Sequence, residues 1–576
     1  MTKQAFLIKT KNNIVIFYDY ICVMTAMLMN QGTLKAFSKR RGRGNKRHSP
    51  FISFYHLLSP FVSFCLYSLS LFHLQPMKIL SAEQIRALDK YTIEHEPITS
   101  IDLMERAASK LTEALTDVIT MEAPVYVFCG MGNNGGDGLA VARMLMADGY
   151  KSVQIYVVKH TDKPSNDFSA NEERLKKLIT VQYIETDAQI PDIDKKAIVI
   201  DAILGSGLSR PAEGITAAVI NAINFSGALV YAVDIPSGLY CDKINEHTDV
   251  VIHSTCTYTF HAPKLTFLLA ANAKYVPQFE ILDIGLSRDY ESQIEVNNEY
   301  IDDVLVAGLF HKRDKFSHKG TYGHALISAG SYGKMGAAVL SVAAALKSGA
   351  GLVSAHIPKS GYGIMQTANP EAMVLADESE NELTGLSDYI KFSTIGVGPG
   401  IGKANKTADF FETLMKAYHK PMVIDADALN IISDLQYLRD HIPSGSVLTP
   451  HPGEFKRLMG GWSDDLGKIQ KQVDFSKQHK VIIVLKGANT SISTPEGKVY
   501  FNSTGNPGMA KGGSGDVLTG IITALLAQGY APDQAAIIGV FIHGRAGDIA
   551  AEVLGQTGMT ARDIIQFLPE AFAAFE

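Results

Sequence analysis

Cysteine is scarce in this sequence, and the few cysteines are not spaced as pairs. The 576 residues contain five, at positions 22, 65, 129, 241 and 256, with no C-x-x-C motif among them. An odd and scattered set argues against a disulfide framework and a cysteine-based zinc site, and it is typical of a reducing compartment. We therefore predict a cytoplasmic protein whose thiols stay reduced.

The common P-loop for nucleotide phosphates is absent as well. No G-x-x-x-x-G-K-[ST] motif occurs, because the four Gly-Lys pairs are followed by Met335, Ala404, Ile469 and Val499. A Walker-type phosphate loop is therefore excluded, and any phosphate binding has to come from other glycine-rich loops.

Acidic residues are rare at the N-terminus. Residues 1–76 contain ten Lys or Arg and one acid, Asp19, so they carry +9; the whole chain carries −6, which leaves −15 on the following 500 residues. An acidic body of this kind gives no support for nucleic-acid binding. We expect no nucleic-acid partner.

Charged residues are missing altogether from Phe51 to Gln75. That length could span a membrane, with the basic cluster at 39–47 on the cytoplasmic side. Pro60, several serines and two histidines interrupt the run, and a signal peptide fits poorly because no clear cleavage site follows. Met77, in contrast, opens a stretch that reads as a natural N-terminus. We interpret residues 1–76 as an extension from a mis-assigned start or as a disordered segment, in preference to a membrane anchor, and expect no membrane contact for residues 77–576.

The chain is too long for one ordinary core, so two or more domains are expected. Hydrophobic residues at 46% and charged residues at 19% are typical of a soluble globular protein. Strand-like and helix-like runs alternate from Ser81 to the polar segment 288–318, and a second series begins at Thr321. This alternation predicts two α/β domains, over residues 77–295 and 296–576.

In the first half, polar residues follow three strand-like runs. The loop Gly130–Gly138 formally satisfies G-x-G-x-x-G, and a helix is predicted only from Leu139. The next strand ends in Lys159 and His160, where a dinucleotide fingerprint requires an acid, so an ordinary Rossmann cofactor site is not expected. Strand ends of a parallel sheet converge on one edge, which would bring six residues together: Asn133, Asn134, Asp137, Asp201, Asp234 and Ser237. Each alone is as consistent with a cap or turn, whereas together they suit a hard cation such as K⁺ or Mg²⁺.

The second half is rich in loops at strand ends, and one of them is unusual. Gly505–Asp516 lies between a strand-like run, 498–501, and a helix-like run, 517–528, and five of its twelve residues are glycine. Glycines allow a close approach of backbone to ligand, and a helix start favours an anion. Asp516 at such an anion site is suited to taking a proton from a hydroxyl; the alternative is a helix N-cap. Four other loops also follow strands of this half, at 396–402, 425–430, 449–455 and 486–490. Because all of them would lie at the carboxyl edge of one sheet, they predict one nucleotide-sized cleft.

These motifs together resemble a known family. Gly512–Asp516 resembles the anion-hole loop of ribokinase-like kinases, and with 318–323, 423–427, 451–454 and 486–488 it resembles the ADP-dependent NAD(P)H-hydrate dehydratases. Asn133–Asp137 together with 233–238 resembles the NAD(P)H-hydrate epimerases. Bifunctional NAD(P)H-hydrate repair enzymes carry both parts in this order, and the resemblance covers Met77 to the C-terminus. It implies two three-layer α/β domains, an N-terminal Rossmann-like epimerase domain and a C-terminal ribokinase-like dehydratase domain.

The resemblance also implies a chemistry. The first domain would interconvert the R and S forms of hydrated NADH and NADPH, and the second would use ADP to remove water from the S form. Asp516 would deprotonate the 6-hydroxyl, which attacks the β-phosphoryl of ADP, and the phosphorylated hydroxyl is then eliminated to leave AMP and phosphate. Asp234 is the acid–base candidate of the first domain. K⁺ at the epimerase site, Mg²⁺ at the dehydratase site and ADP as co-substrate are expected.

The residues that match the family's motifs fall into four groups. Epimerase substrate residues are Asn133, Asn134, Gly135, Gly136, Asp137, Gly205, Ser206, Gly207, Leu208, Ser209, Arg210, Pro211 and Asp234, and the K⁺ ligands are Asn134, Asp201 and Ser237. Dehydratase substrate residues are Ala337, Gly400, Gly402, His451 and Asp516. ADP-binding residues are Lys486, Gly487, Ala488, Asn489, Thr490, Asn506, Pro507, Gly508, Met509, Ala510, Lys511, Gly512, Gly513, Ser514 and Gly515.

Three other functions remain open from the sequence. The second domain is also compatible with an ATP-dependent vitamin or sugar kinase, and the first with a non-catalytic nucleotide-binding module. A membrane-anchored scaffold built around residues 51–75 is the third. A homo-oligomer is expected, with hydrated NADH, hydrated NADPH and ADP as its small-molecule partners.

Overall fold

Two sheets organise the part of the chain that carries the sites. The computed structural model describes residues 76–576 and, before them, only the backbone of two strands, β1 (Ile8–Thr10) and β2 (Asn13–Val15), which pair antiparallel. The interpretations of 1–75, including the apolar run 51–75, therefore lie outside the described side chains. Within 76–576, no helix combines the length and apolar character needed to cross a membrane.

The first sheet has seven parallel strands in the order β10-β9-β8-β7-β4-β5-β6. These are β4 (Val125–Cys129), β5 (Val153–Val158), β6 (Gln182–Ile184), β7 (Ile198–Ala202), β8 (Leu229–Val233), β9 (Cys256–Phe260) and β10 (Phe279–Leu282). Its helices are α1 (Ala82–His95), α2 (Ser100–Val118), α3 (Asn133–Ala147), α4 (Asn166–Lys176), α5 (Gly214–Ser226) and α6 (Arg288–Gln293).

Both faces of this sheet are buried, which explains why its strands read as continuous apolar runs. Along β4, Val125 and Val127 pack into the cluster that contains α2 and α3, whereas Phe128 packs into the cluster that contains α5. Successive side chains of a strand point to opposite faces, so one apolar run supplies both cores. The result is a three-layer α/β arrangement, as predicted.

The helix after β4 begins earlier than the sequence predicts. α3 begins at Asn133, not at Leu139, so six of the nine residues of the predicted glycine loop are helical. The reason is packing: a Cβ at Gly135 would lie 1.8 Å from the carbonyl oxygen of Gly130, and one at Gly138 would lie 2.5 Å from Cβ of Ala202. Glycine disfavours a helix interior in isolation, but here it allows α3 to lie directly on the strands.

The second sheet has eleven strands in the order β14-β13-β12-β15-β16-β17-β18-β19-β20-β11-β3. They are β3 (Met77–Lys78), β11 (Asn298–Ile301), β12 (His324–Ser328), β13 (Leu352–Ile357), β14 (Met373–Ala376), β15 (Thr394–Val397), β16 (Met422–Ile424), β17 (Val447–Leu448), β18 (Ile482–Leu485), β19 (Ser491–Ser493) and β20 (Val499–Asn502). β19 is antiparallel to both neighbours, β3 is antiparallel to β11, and the other pairs are parallel.

Helices cover both faces of the second sheet. They are α7 (Asp303–Leu309), α8 (Met335–Lys347), α9 (Tyr362–Ala368), α10 (Asn405–Ala417), α11 (Ala426–Asp434), α12 (Pro452–Met459), α13 (Asp465–His479), α14 (Ser514–Ala527), α15 (Pro532–Leu554) and α16 (Ala561–Ala573). Strand residues alternate between a cluster with α14, α15 and α16 and a cluster with α10 to α13. The strands that the sequence of this half predicts, at 324–329, 352–357, 393–397, 423–424, 446–448, 481–485 and 498–501, match observed strands to within one residue at each end.

The edge of the second sheet holds the first residues of the described chain. Met77 of β3 pairs with Tyr300 of β11, and β11 pairs along its other side with β20. The sequence predicts only a polar segment at 288–318, so β11, which lies within that segment, is not predicted. The division into domains at 295/296 stays a prediction.

Candidate functional sites

A cavity of about 470 Å³ opens at the carboxyl edge of the first sheet. The chain reaches it after β4, β7 and β8, which are adjacent strands, so the predicted convergence of three loops is observed. Its predicted lining residues are Asn133, Asn134, Asp137, Gly205, Ser206, Gly207, Leu208, Ser209, Arg210 and Asp234. The cavity is also lined by Arg86, Asp89, His160 and His261, which the sequence had not singled out.

Asp234 is paired with a lysine inside this cavity. Its Oδ1 lies 2.5 Å from Nζ of Lys264 and also accepts from the amide of Phe260 at 3.2 Å. Lys264 is fully buried, and its ammonium donates to Oγ1 of Thr259 at 2.6 Å. A buried ammonium is tolerated only when it is paired and hydrogen-bonded. Asp234 also adopts a positive φ of 62°, which is uncommon for a non-glycine residue and fixes the direction of its carboxylate.

The proposed cation ligands lie beneath the same cavity. The carboxylate of Asp201 is completely buried and accepts from Oγ of Ser237 at 2.5 Å and from the Ser237 amide at 2.8 Å. Burial raises the pKa of Asp201 to about 6, against the effect of these hydrogen bonds. Asn134 donates its amide to the carbonyl of Leu204 at 3.1 Å, and Leu204 donates its own amide to Ser237. Leu204 thus connects the three side chains.

A larger cavity of about 750 Å³ lies at the carboxyl edge of the second sheet. One wall is the segment after β18 and the other is the glycine loop that leads into α14. Its predicted members are His451, Lys486, Gly487, Ala488, Thr490, Asn506, Pro507, Met509, Ala510, Lys511, Gly512, Ser514 and Gly515. Leu518, Val540 and His543 also line it, and burial lowers the pKa of His543 to about 4, so that ring is neutral.

Asp516 lies in the first turn of α14, beside a buried ion pair. The helix begins at Ser514, and its N-cap is Gly513, so the carboxylate of Asp516 is not used as the cap. Nζ of Lys486 lies 2.9 Å from Oδ1 of Asp425. Burial and the charge of Asp425 raise the pKa of Asp516 to about 6, and Lys486 opposes that shift. A carboxyl with this pKa is suited to act as a general base near neutral pH.

The predicted hydrate-facing residues border the start of α14. Ser341, one helical turn after Ala337 on α8, donates its hydroxyl to the carbonyl of Asp516 at 2.8 Å. A Cβ at Gly400 would lie 3.1 Å from Cβ of Ala337. The amide of Gly402 donates to Asp427 at 2.9 Å. Ala337, Gly400 and Asp516 are therefore neighbours in the fold.

His451 is the N-cap of α12 and lines the cavity of the second sheet. Its Nδ1 accepts from the amides of Gly453 and Glu454 at 3.0 and 3.3 Å, which leaves Nε2 to carry the proton. Nε2 lies 3.3 Å from Oε1 of Glu454, so the orientation of the ring is fixed from two sides.

Several predicted residues do not face their cavity. Gly135 and Gly136 lie inside the packed start of α3, and Pro211 is not part of the cavity lining. Gly508 is buried against Met559, and Asn489 lines a neighbouring cavity of about 680 Å³ between the two sheets.

Gly513 and Lys511 of the glycine loop also contact residues outside the cavity. A Cβ at Gly513 would lie 2.6 Å from Cδ1 of Leu340 and 3.1 Å from Cβ of Ala561. The ammonium of Lys511 donates to the carbonyls of Thr557 and Met559, both at 2.6 Å.

The residues that sequence reasoning missed are those whose partners are distant in the chain. The sequence contains one indication that Lys264 is functional, because this lysine is the single Lys, Arg, Asp or Glu in the apolar segment 261–269. The sequence indicates Asp425 only as part of a loop after a strand. Its ion pair with Lys486 is not predictable from residue spacing, because the two residues lie on different loops. Asp89 lies on α1 between Leu88 and Lys90, and nothing in its local sequence distinguishes it from a surface acid.

Comparisons with known proteins match both halves of the chain. A family model described as NAD(P)H-hydrate dehydratase matches residues 325–570, and one described as YjeF-related protein N-terminus matches residues 100–266. The bifunctional NAD(P)H-hydrate repair enzyme Nnr of Moorella thermoacetica is 36% identical, over 86% of this chain and 96% of its own length. That of Thermofilum pendens is 35% identical, over 86% and 97%.

Among solved structures, the ADP/ATP-dependent NAD(P)H-hydrate dehydratase from Bacillus subtilis, co-crystallised with ATP/Mg²⁺, is 29% identical. It covers 47% of this chain and 96% of its own, with a TM-score of 0.41. The full-length relatives are decisive, since they match both halves in the same order. This chain belongs to the family of bifunctional NAD(P)H-hydrate repair enzymes.

Proposed function

We propose that this chain repairs hydrated NADH and NADPH in two steps. The first cavity epimerises the R and S forms, and the second dehydrates the S form at the expense of ADP, giving AMP and phosphate. One observation carries the proposal most directly: Asp516 lies at a helix start beside a nucleotide-sized cavity, and its carboxyl is not used as a cap. The family to which the chain belongs supports the pairing of this site with the first cavity.

In the dehydration step, Asp516 takes the proton of the 6-hydroxyl. The oxygen attacks the β-phosphorus of ADP, and the bond from that phosphorus to the bridging oxygen breaks, so that AMP leaves. Amides at the start of α14 stabilise the transferring phosphoryl group. The C6–O bond then breaks with its electron pair on phosphate, and a proton is lost from C5, which restores the dihydropyridine.

The donor sets fit the expected cations. Asn134, Asp201 and Ser237 offer only oxygens and one carboxylate, which suits K⁺, and the Oδ1 of Asn134 remains available because the amide uses its nitrogen for Leu204. K⁺ bound there would supply positive charge beside the buried carboxylate. No group of three His, Cys, Asp or Glu within residues 76–576 could hold a metal ion, so Mg²⁺ would be bound largely through the phosphates of ADP. A cytoplasmic homo-oligomer remains the prediction for the state of the protein in the cell.

The first prediction is the activity itself. The wild-type chain, given mixed epimers of hydrated NADH with Mg²⁺ and ADP, is expected to restore dihydropyridine absorbance completely. Without ADP, absorbance should stay constant while chiral chromatography shows the epimers equilibrating. A matched reaction with ATP tests the nucleotide. Phosphorylation of a vitamin or sugar by ATP, with no effect on the hydrates, would refute the proposal.

The second prediction concerns pH. Asp516 has to be ionised to act as a base, and its pKa is raised to about 6 by burial and by Asp425. The kcat/KM of dehydration should therefore be constant above that pKa and fall about tenfold per pH unit below it. Initial rates with saturating ADP between about pH 5 and pH 8 measure this. A profile that stays flat down to about pH 5 would contradict the role of Asp516.

A further inference from the structure

The epimerase cavity contains a carboxyl group that no motif had indicated. Asp89 lies on α1 and lines the cavity together with Asp234, which follows β8. The side chain of Asp89 is half-buried, and it forms neither an ion pair nor a side-chain hydrogen bond with the described residues. A carboxyl group that is partly removed from water and has no partner is costly to keep ionised.

Asp234 has the opposite surroundings. Its carboxylate accepts from the ammonium of Lys264 and from Thr259 and the amide of Phe260. These donors hold the carboxylate in place. Two carboxyl groups in one cavity, one held by donors and one without them, form an arrangement in which one acts as a base and the other as an acid.

We propose that Asp89 is the general acid that works opposite Asp234 in the epimerisation. The inference rests on the proposed epimerase function of this cavity. The carboxylate of Asp234 removes the proton of the 6-hydroxyl, and the O–H electron pair forms a C=O double bond at C6. The C6–N1 bond breaks, its electron pair moves to N1, and Asp89 delivers a proton to N1.

The product of this step is an open-chain aldehyde. Rotation about the C5–C6 bond presents the other face of the carbonyl to N1. Ring closure then runs through the same steps in reverse, so that N1 returns its proton to Asp89 and Asp234 returns a proton to the new hydroxyl. The net change is inversion at C6, with no oxidant, reductant or metal consumed. Each carboxyl group regains its starting protonation state, as catalysis requires.

The groups that face Asp89 come from several elements. Arg86 lies one turn earlier on α1, Asp137 is on α3, and His160 follows β5; Asp234, Lys264 and His261 complete the surroundings. Burial and the charge of Asp234 together raise the pKa of Asp89 to about 6, against the opposing charges of Lys264 and His261. An acid has to be protonated to act, so the epimerisation rate should fall as pH rises through that value.

Asp137 is the rival for this role, since burial raises its pKa as well. It lies one turn after Asn134 in the segment that we assign to substrate and cation binding, and its substitution should therefore raise KM. Asp89 stands apart from that segment, on a helix that contributes only Ile85, Arg86 and itself to the cavity.

The test compares the full-length wild type with Asp89→Asn, Asp89→Glu, Asp137→Asn and Glu83→Gln. Glu83 is an exposed acid on the same helix and serves as the matched control. Epimerisation of hydrated NADH is followed without ADP between about pH 5 and pH 8, and dehydration by the same chain is the folding control. We expect Asp89→Asn to lower kcat for epimerisation about 100-fold and to remove the alkaline limb, with dehydration and KM kept near wild type.

The experiment distinguishes failure of the proposed epimerase function from failure of the role of Asp89. Absence of any epimerisation by the wild type would refute the epimerase function itself. An alkaline limb that survives in Asp89→Asn, or one that disappears only in Asp137→Asn, would overturn the role of Asp89 alone. Should Asp89→Asn fail to fold, the wild-type profile and Asp89→Glu decide: a wild type without an alkaline limb, or a glutamate variant with an unchanged one, contradicts the proposal.

Discussion

Replacement of Asp516 by asparagine is expected to abolish dehydration and to leave epimerisation intact. Asparagine keeps the size of the side chain and the first turn of α14 but cannot accept the hydroxyl proton. A general base contributes about 100-fold to 10,000-fold to the rate, and Asp516 is the acid in the first turn of α14, next to Gly515 of the cavity wall. The loss should appear in kcat, while the KM for ADP stays near wild type because the loop that holds the phosphates is unchanged.

The measurement is recovery of dihydropyridine absorbance, with epimer exchange recorded on the same preparation. Asp533→Asn is the matched control, because Asp533 occupies the first turn of the following helix, α15. Loss of both activities in a protein that melts like the wild type would contradict the assignment of two separate sites. Full dehydration by Asp516→Asn would remove this residue from the mechanism.

The second large effect concerns the Asp234–Lys264 pair. Asp234→Asn and Lys264→Met should each lower epimerisation by about 100-fold or more, since one removes the base and the other removes the ammonium that pairs with it. Each single change also leaves a charge without its partner beside a fully buried position. Breaking a buried pair in this way costs about 3–5 kcal/mol, so both single variants should melt at lower temperature.

The double variant separates catalysis from stability. Asp234→Asn combined with Lys264→Met removes both charges, so its melting temperature should recover toward the wild type while epimerisation stays lost. Lys274→Met, which changes an exposed lysine of the same segment, should affect neither property. If the double variant recovered epimerisation along with stability, the pair would be structural only. Dehydration by each variant reports whether the second domain remains folded.

Much of the fold follows from local patterns. The apolar runs 153–158, 229–233 and 352–357 predict three strands, and β5, β8 and β13 have these bounds because each run is flanked by turn residues. Ser81 and Gln84 have the spacing of a capping box, and the start of α1 contains one. Local chemistry specifies these features, so a single sequence contains the information for them.

The rest depends on contacts between distant segments. α3 begins early although glycine has a low helix propensity. The cause is tertiary packing, because the backbone of Gly135 lies against the carbonyl of Gly130, where no Cβ would fit. The convergence of Asp234 and Asp201 with α3 could be expected from the topology of a parallel sheet, but Lys264 and Asp89 could not. Their roles come from how a loop and the first helix pack around the cavity, and residue spacing does not encode that.

The pairing of β3 with β11 has a consequence for how the protein assembles. The whole first sheet lies between Met77 and Tyr300 in the chain, so their pairing carries the loop-closure cost of a long-range contact. A fragment that starts at residue 296 would lack β3 and would present β11 with an unpaired edge, which is a site for aggregation. We therefore expect a dehydratase fragment to aggregate less when it is expressed together with a strand that replaces residues 77–78.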